Sequence, residues 1–205
     1  MNNRKKQNIN RRRKDLLRSA RQSSNKVCNP YLGESAPCLE TFNDASPRKA
    51  IIFKSELAFI CKHILEYPDI ETGGELFGYW TSEGAPVILY AIGAGPKANH
   101  QVTFFNQDKG YLLSEGKILK ERYGLQHIGE WHSHHKLGLA RPSRHDAHTM
   151  ISTIQEMHLG RFLLCIGNCT DSTSCLNCFM CEEDGYKLWG WELINQSSPI
   201  RDIKL

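Results

Sequence analysis

The stretch GEWHSHH at residues 129–135, followed by RPSRHD at residues 141–146, carries most of the information about fold and site. If the first stretch is an extended strand, period-two alternation puts His132 and His134 on the same face. Two imidazoles on one face can both reach a single metal ion at about 2.0–2.1 Å. One such pair is weak evidence by itself, so the prediction of a metal site depends on a third ligand.

Asp146 is the candidate for that third ligand. Ser143 follows a proline and precedes Asp146 by three residues, which predicts a helix that begins with Ser143 as its N-cap. At about 100° per residue, Asp146 falls on the edge of the apolar stripe of this helix, formed by Ala147, Met150, Ile151, Ile154 and Met157. An ionised carboxylate against an apolar face needs compensation, which a cation supplies. The alternative is a capping box in which Asp146 only closes the helix end.

Two histidines and one aspartate leave a tetrahedral zinc ion with one open position, which is typical of a catalytic site. Zinc lowers the pKa of a bound water towards about 7 and polarises a substrate carbonyl. A hydrolase also needs a carboxylate near that water as base and proton shuttle. The preferred candidate is Glu71, which precedes Thr72-Gly73-Gly74, where two glycines let backbone segments pack closely. Glu75 and Glu130 are rivals, and spacing alone does not choose among the three.

The pattern from about Lys49 onward alternates strands with helices and predicts one mixed α/β domain over residues 47–205. Strands are expected at Ala50–Phe53, Glu75–Trp80, Pro86–Ile92, Leu125–Trp131 and Phe162–Ile166. Helices are expected from the N-cap Ser55 to Pro68, at Gly110–Tyr123 and at Ser143–His158. A closing hairpin is expected from Cys178–Glu182 and Tyr186–Ile194.

Residues 1–46 are predicted to form a basic, disordered N-terminal arm. Residues 1–21 hold nine Lys or Arg residues and one acid, a local charge of +8, whereas the net charge of the chain is +4. The remainder, +4 less +8, is therefore about −4, so nucleic acid is not expected as a partner except through the arm. No apolar run reaches the roughly 18–20 residues that span a bilayer. A cytoplasmic protein without a membrane partner is expected, since the first residues also lack a secretory signal.

Three motifs together resemble the signature of the JAMM (JAB1/MPN/Mov34) zinc metalloproteases. They are ETGGELFG at residues 71–78, HSH at residues 132–134 and S-x-x-D at residues 143–146, and the similarity extends over about residues 49–195. The resemblance implies one catalytic zinc ion with His132, His134 and Asp146 as ligands. It also implies a water-activating acid/base role for Glu71, and a role for Ser143 in stabilising the tetrahedral oxyanion.

The resemblance also implies a fold and a substrate class. The family fold is a curved mixed β-sheet flanked by helices, similar to the cytidine deaminase architecture. Members typically cleave isopeptide bonds at the C-terminus of ubiquitin or ubiquitin-like proteins. Eight residues separate His134 from Ser143, one more than in the common eukaryotic pattern, and His135 stands where the family often has proline. The longer gap is similar to prokaryotic JAB proteins, including those encoded beside E1-, E2- or ubiquitin-like partners.

Several alternatives remain beside this interpretation. A non-catalytic MPN-type scaffold is free to lose the Glu, His, Ser and Asp positions, which are intact here. A zinc deaminase of related architecture requires H-x-E with P-C-x-x-C, and no proline precedes a Cys-x-x-Cys pair in this sequence.

An expected edge strand at residues 99–105, with alternating Val102 and Phe104, could pair with the extended tail of a modifier or of a precursor.

The cysteines allow a second, structural zinc site. Five of the eight cysteines fall at residues 165–181, and a Cys₄ site would use Cys169, Cys175, Cys178 and Cys181. Against this, Cys178 and Cys181 differ in parity, so a regular strand points them to opposite faces. Small buried thiols without a metal explain the same residues and are the favoured interpretation.

Overall fold

The computed structural model describes residues 49–201, and the arm predicted for residues 1–46 lies outside them. The strands are β1 Ala50–Phe53, β2 Gly73–Trp80, β3 Pro86–Ala91, β4 Asn99–His100, β5 Phe105–Asn106, β6 Gln126–Ser133, β7 Phe162–Cys169, β8 Ser174–Glu182, β9 Gly185–Trp189 and β10 Trp191–Ile194. The helices are α1 Lys54–Glu66, α2 Lys109–Tyr123 and α3 Arg144–Glu156. The prediction of a mixed α/β domain is confirmed for this part of the chain.

Eight of these strands form one curved mixed sheet in the order β10-β1-β3-β2-β6-β7-β8-β9, and β4 pairs separately with β5. Strand β6 lies in the middle, antiparallel to β2 and parallel to β7. The edge strands β9 and β10 are separated in sequence only by Gly190, so the sheet nearly closes on itself. The predicted closing hairpin is confirmed by the antiparallel pairing of β8 with β9, but its second strand ends at Trp189 and not at Ile194, because β10 pairs with β1.

The helices cover the two faces of the sheet. Helix α1 packs Leu57, Ile60, Cys61 and Ile64 into a core that includes Trp131. Helix α3 packs Met150 and Ile154 against the other face of β7 and β8. Its predicted apolar stripe ends early, because Met157 is 57 % exposed beyond the last turn.

Two capping predictions have different outcomes. Ser143 is the N-cap of α3, as predicted. Ser55 is not an N-cap, because α1 begins two residues earlier than predicted, at Lys54, with Phe53 at its N-cap position. The Ser55 hydroxyl instead donates to the Glu56 carboxylate and accepts the N–H of Ser198.

None of the helices described for residues 49–201 combines the length and apolar character needed to cross a bilayer.

The proposed Cys₄ zinc site is not supported. Cys169 and Cys178 belong to the core cluster under α1, whereas Cys181 belongs to the cluster under α3 on the opposite face. Strand alternation in β8 is the physical reason, since an odd spacing reverses the side-chain direction. Burial also raises the pKa of the Cys181 thiol to about 12, which keeps it protonated. Within residues 49–201, the only group of three or more side chains arranged to share a metal ion contains no cysteine.

Candidate metal centre

Strand β6 delivers the two predicted histidines to the site. His132 lies opposite Gly73 of β2, and the His134 N–H donates to the carbonyl of Gly167 at 2.8 Å. A Cβ atom at Gly73 would stand 2.9 Å from the Cβ of His132 and 2.3 Å from Cζ of Phe105, so only glycine allows this approach. The side chains of His132 and His134 are both buried. Two neighbouring strands therefore hold the backbone of both residues.

Each histidine ring is turned so that its Nε2 atom faces the other. Nδ1 of His134 lies 2.8 Å from the carbonyl oxygen of Leu139, which can only accept, so Nδ1 carries the proton and Nε2 is free to bind a metal. Nδ1 of His132 faces the Glu130 carboxylate at 3.8 Å. The two Nε2 atoms are 3.2 Å apart.

The carboxylate of Asp146 completes the cluster from α3. Its Oδ2 atom accepts the N–H of Ser143 at 2.6 Å, while the Ser143 hydroxyl accepts the N–H of Asp146 at 3.2 Å. The same Oδ2 lies 3.2 Å from Nε2 of His134 and 3.5 Å from Nε2 of His132. The capping box and the metal-ligand interpretation are therefore compatible, because the cap fixes the carboxylate in the orientation that faces the histidines.

These distances fit a small divalent cation. Ligand atoms about 2.0–2.1 Å from a tetrahedral zinc ion stand about 3.3–3.4 Å from one another. The three separations of 3.2, 3.2 and 3.5 Å match the edges of such a tetrahedron. Two imidazole nitrogens and one carboxylate oxygen are also a donor set that zinc accepts. His132, His134 and Asp146 therefore form a candidate metal centre that leaves a fourth position for a water or a substrate.

Electrostatics support a cation at this point. Burial lowers the pKa of His132, but Asp146 and Glu130 outweigh it and raise this pKa to about 9. Burial raises the pKa of Asp146, but the two histidines and Ser143 hold it well below its usual range. The cluster thus stabilises positive charge near the carboxylate. A divalent cation can take the place of the proton on His132.

Glu71 lies beside this cluster, at the entrance to β2. Its electrostatic neighbours are His132, His134, Asp146 and His135. Burial raises the pKa of Glu71, the histidines lower it and Asp146 raises it, and the net direction is upward. A carboxyl group with a raised pKa takes up a proton more readily than an ordinary glutamate, as a general base must.

The rival carboxylates have other partners. Glu75 lies opposite Glu130 in the β2–β6 register and is paired with His127. Glu130 faces Nδ1 of His132, on the side of the ring away from the cluster. The structure therefore places these two in supporting positions, which favours Glu71 as the acid/base; its role and that of Ser143 stay predictions.

Two features of the site were not predicted from the sequence. Asn168 of β7 donates from Nδ2 to the Leu139 carbonyl at 3.1 Å, the same carbonyl that orients His134. Residues 99–106 form a hairpin of β4 and β5 with Val102 and Phe104 in its exposed turn, so the predicted edge strand at residues 99–105 is wrong. Neither feature has a sequence signal, because each depends on where the fold places a backbone carbonyl or a turn.

A curved α/β sheet with a buried His-His-Asp cluster beside a carboxylate is the kind of arrangement that metallohydrolases use. The chain is 27 % identical to the probable metalloprotease y4qB of Sinorhizobium fredii over 114 residues, which are 53 % of this chain and 68 % of that protein. The solution structure of protein DSY2949 from Desulfitobacterium hafniense matches with a TM-score of 0.58 and 17 % identity, over 75 % of this chain and 99 % of that chain, which concerns the fold alone. No family model matches the sequence.

Proposed function

We propose that this chain is a JAMM-type zinc metalloprotease that hydrolyses the bond after the C-terminal glycine of a ubiquitin-like modifier. The observation that carries the proposal is the convergence of His132 Nε2, His134 Nε2 and Asp146 Oδ2 within 3.2–3.5 Å of one another. The similarity to a probable metalloprotease supports the reaction class. The resemblance of the three motifs supports the finer assignment.

The chemistry that a bound zinc ion supplies here is activation of a water and polarisation of the scissile carbonyl. His132, His134 and Asp146 would hold the ion. Glu71 accepts a proton from the attacking water and passes it to the nitrogen of the leaving amine as the C–N bond breaks. The Ser143 hydroxyl accepts the N–H of Asp146. The hydroxyl proton of Ser143 is therefore available to donate to the oxygen of the scissile carbonyl, where negative charge develops during the reaction.

The β4–β5 hairpin is the proposed wall for the substrate tail. Val102 and Phe104, in the turn of the hairpin, are 55 % and 45 % exposed. The ring centroid of Phe105 lies 6.2 Å from that of His132. An extended tail lying along this wall would meet Phe105 next to the metal centre. A tail ending in Gly-Gly, which carries no side chains at its last two residues, is proposed as the substrate end that reaches the metal centre. E1- or E2-like proteins are proposed as partners that supply the conjugates.

The test compares three probes at equal concentration. They are ubiquitin joined through its terminal glycine to a lysine side chain, ubiquitin fused at the same glycine to a short peptide, and an unfolded peptide of the same tail sequence. The proposal predicts cleavage after the terminal glycine with a higher kcat/KM for the folded probes. Preference for the lysine-linked probe indicates deconjugation, and preference for the fusion indicates precursor processing. Equal cleavage of the unfolded peptide would contradict recognition of a modifier.

A further inference from the structure

Glu71 lies outside any helix or strand, so its position depends on contacts made by its backbone. The Glu71 N–H donates to the carbonyl of Gln101 at 2.8 Å. The Glu71 carbonyl accepts a hydrogen bond from Nδ1 of His100 at 2.9 Å. Both partners belong to the β4–β5 hairpin, which is about thirty residues further along the chain. One short segment thus holds the peptide groups on both sides of the Glu71 Cα.

The ring of His100 is itself fixed. A carbonyl oxygen can only accept, so Nδ1 of His100 carries a proton whether the ring is neutral or charged. The ring is stacked on Tyr67 with centroids 4.6 Å apart and planes 15° apart. The ring of Phe105 lies nearly parallel at 6.3 Å, with planes 10° apart. These contacts leave His100 little freedom to swing away from Glu71.

The hairpin is also attached to the metal centre at other points. Nε2 of His135 donates to the carbonyl of Val102 at 2.9 Å. The Phe105 ring fills the space beside Gly73, where a Cβ atom would meet Cζ of Phe105 at 2.3 Å. Hydrogen bonds and ring contacts therefore connect the β4–β5 hairpin, which is the proposed substrate wall, to the backbone of Glu71, which is the proposed acid/base.

We propose that His100 is a positioning residue for Glu71, a role that rests on the acid/base function proposed for Glu71. The Nδ1–H of His100 fixes the Glu71 carbonyl, and the adjacent Gln101 carbonyl fixes the Glu71 N–H. Displacing a reacting group by about 1 Å can cost a factor of about 10² in rate. Loss of the His100 donor should therefore lower kcat by about 10- to 100-fold. The zinc content should stay unchanged, because His100 is not a member of the metal cluster.

The experiment uses the full chain and two complementary substitutions. His100→Phe keeps a ring to stack on Tyr67 but has no donor, whereas His100→Asn loses the ring but keeps an N–H close to the place of Nδ1. The first readout is hydrogen exchange of the Glu71 amide by NMR, which needs no activity and reports whether the hairpin still holds Glu71 through the Gln101 carbonyl. We expect faster exchange at Glu71 and a lower kcat in His100→Phe, and recovery of both in His100→Asn. His148→Phe, at an exposed histidine on α3, is the matched control and should match the wild type.

Two results would overturn the proposal. One is unchanged exchange at Glu71 and unchanged kcat in His100→Phe, and the other is an Asn variant no better than the Phe variant. If His100→Phe does not fold, the comparison of His100→Asn with His100→Ala gives the same decision. The proposed function fails separately, if the wild-type protein binds no zinc or cleaves no modifier. In that case the exchange data still decide whether His100 holds Glu71.

Discussion

At the scale of single residues, Asp146 and His134 show how ordinary structural contacts create the site. The Asp146 carboxylate caps α3 through the Ser143 N–H and also faces both histidine rings. The Leu139 carbonyl holds Nδ1 of His134 and thereby leaves Nε2 free. Strand alternation and the S-x-x-D motif predicted His132, His134 and Asp146 as metal ligands, and the structure brings the three side chains together. The Leu139 carbonyl could not be predicted, because a backbone atom carries no residue signature.

The role of Glu71 gives a first prediction. Glu71→Ala should keep the fold and the zinc content but lose kcat by several orders of magnitude, because the rival carboxylates of Glu75 and Glu130 have other partners. Ser143→Ala should be milder, with a loss of about 10²–10³ in rate, the usual effect of removing one oxyanion donor. Steady-state kinetics with zinc analysis measure both. A nearly unaffected Glu71→Ala together with an inactive Glu130→Ala would assign the base to Glu130 instead.

The ionisation of Glu71 gives a second prediction. Burial outweighs the neighbouring histidines and raises the pKa of this carboxyl above its ordinary value of 4.5 in the metal-free protein. A bound cation favours the charged form and should lower this pKa. NMR titration of the Glu71 carboxyl should therefore give a midpoint above 4.5 in the metal-free protein and a lower midpoint with zinc bound. A metal-free midpoint at or below 4.5, or a midpoint that zinc does not move, would contradict the position of Glu71 beside the metal centre.

At the scale of secondary-structure elements, the close approach of β2 to its neighbours depends on two glycines. Gly73 lies against His132 and Phe105, and a Cβ atom at Gly74 would stand 1.8 Å from the carbonyl oxygen of Ile92. The sequence predicted close backbone packing at this turn correctly. The pairing partners of the strands were less predictable, because periodicity identifies a strand but not its neighbour. For example, β9 and β10 are separated only by Gly190 but pair with different strands, and this separation follows from the curvature of the whole sheet.

Gly74→Ala tests this dependence. The added methyl group meets a backbone carbonyl that cannot rotate away, so β2 must shift and the free energy of unfolding should fall by about 1–3 kcal/mol or more. Gly160→Ala is the matched control, since no atom lies within 4 Å of the place of its Cβ. Urea denaturation of the two variants beside the wild type measures the difference. Equal midpoints for all three proteins would show that the approach of β2 at Gly74 is not restrictive.

At the scale of the whole molecule, the last described residue is tied back to the first helix. The guanidinium of Arg201 binds the carboxylate of Glu56, which is fully buried, and donates to the Ala91 carbonyl at 2.7 Å. Its charged group also lies 4.1 Å from the ring centroid of Tyr90 and 4.4 Å from that of Phe59. This contact joins α1, β3 and the C-terminal segment. No sequence pattern predicted it, since the two partners are 145 positions apart.

Arg201→Ala should therefore destabilise the fold. It leaves the buried Glu56 carboxylate without its cation, which typically costs about 3–5 kcal/mol. The double variant Glu56→Gln/Arg201→Met removes both charges and should recover part of the loss, because no buried charge is left unpaired. Chemical denaturation measures both free energies. A loss under about 1 kcal/mol in Arg201→Ala would show that the ion pair does not hold the C-terminal segment.

The most direct test of the metal centre is the zinc content of the purified full chain, determined by elemental analysis. We expect about one zinc ion per chain in the wild type and none in His132→Ala, since His132 supplies one of three ligand atoms. Cys178→Ser is the matched control, and it should retain the full zinc content because Cys178 lies in the core under α1. A wild-type protein without zinc, or an unchanged zinc content in His132→Ala, would contradict the metal site.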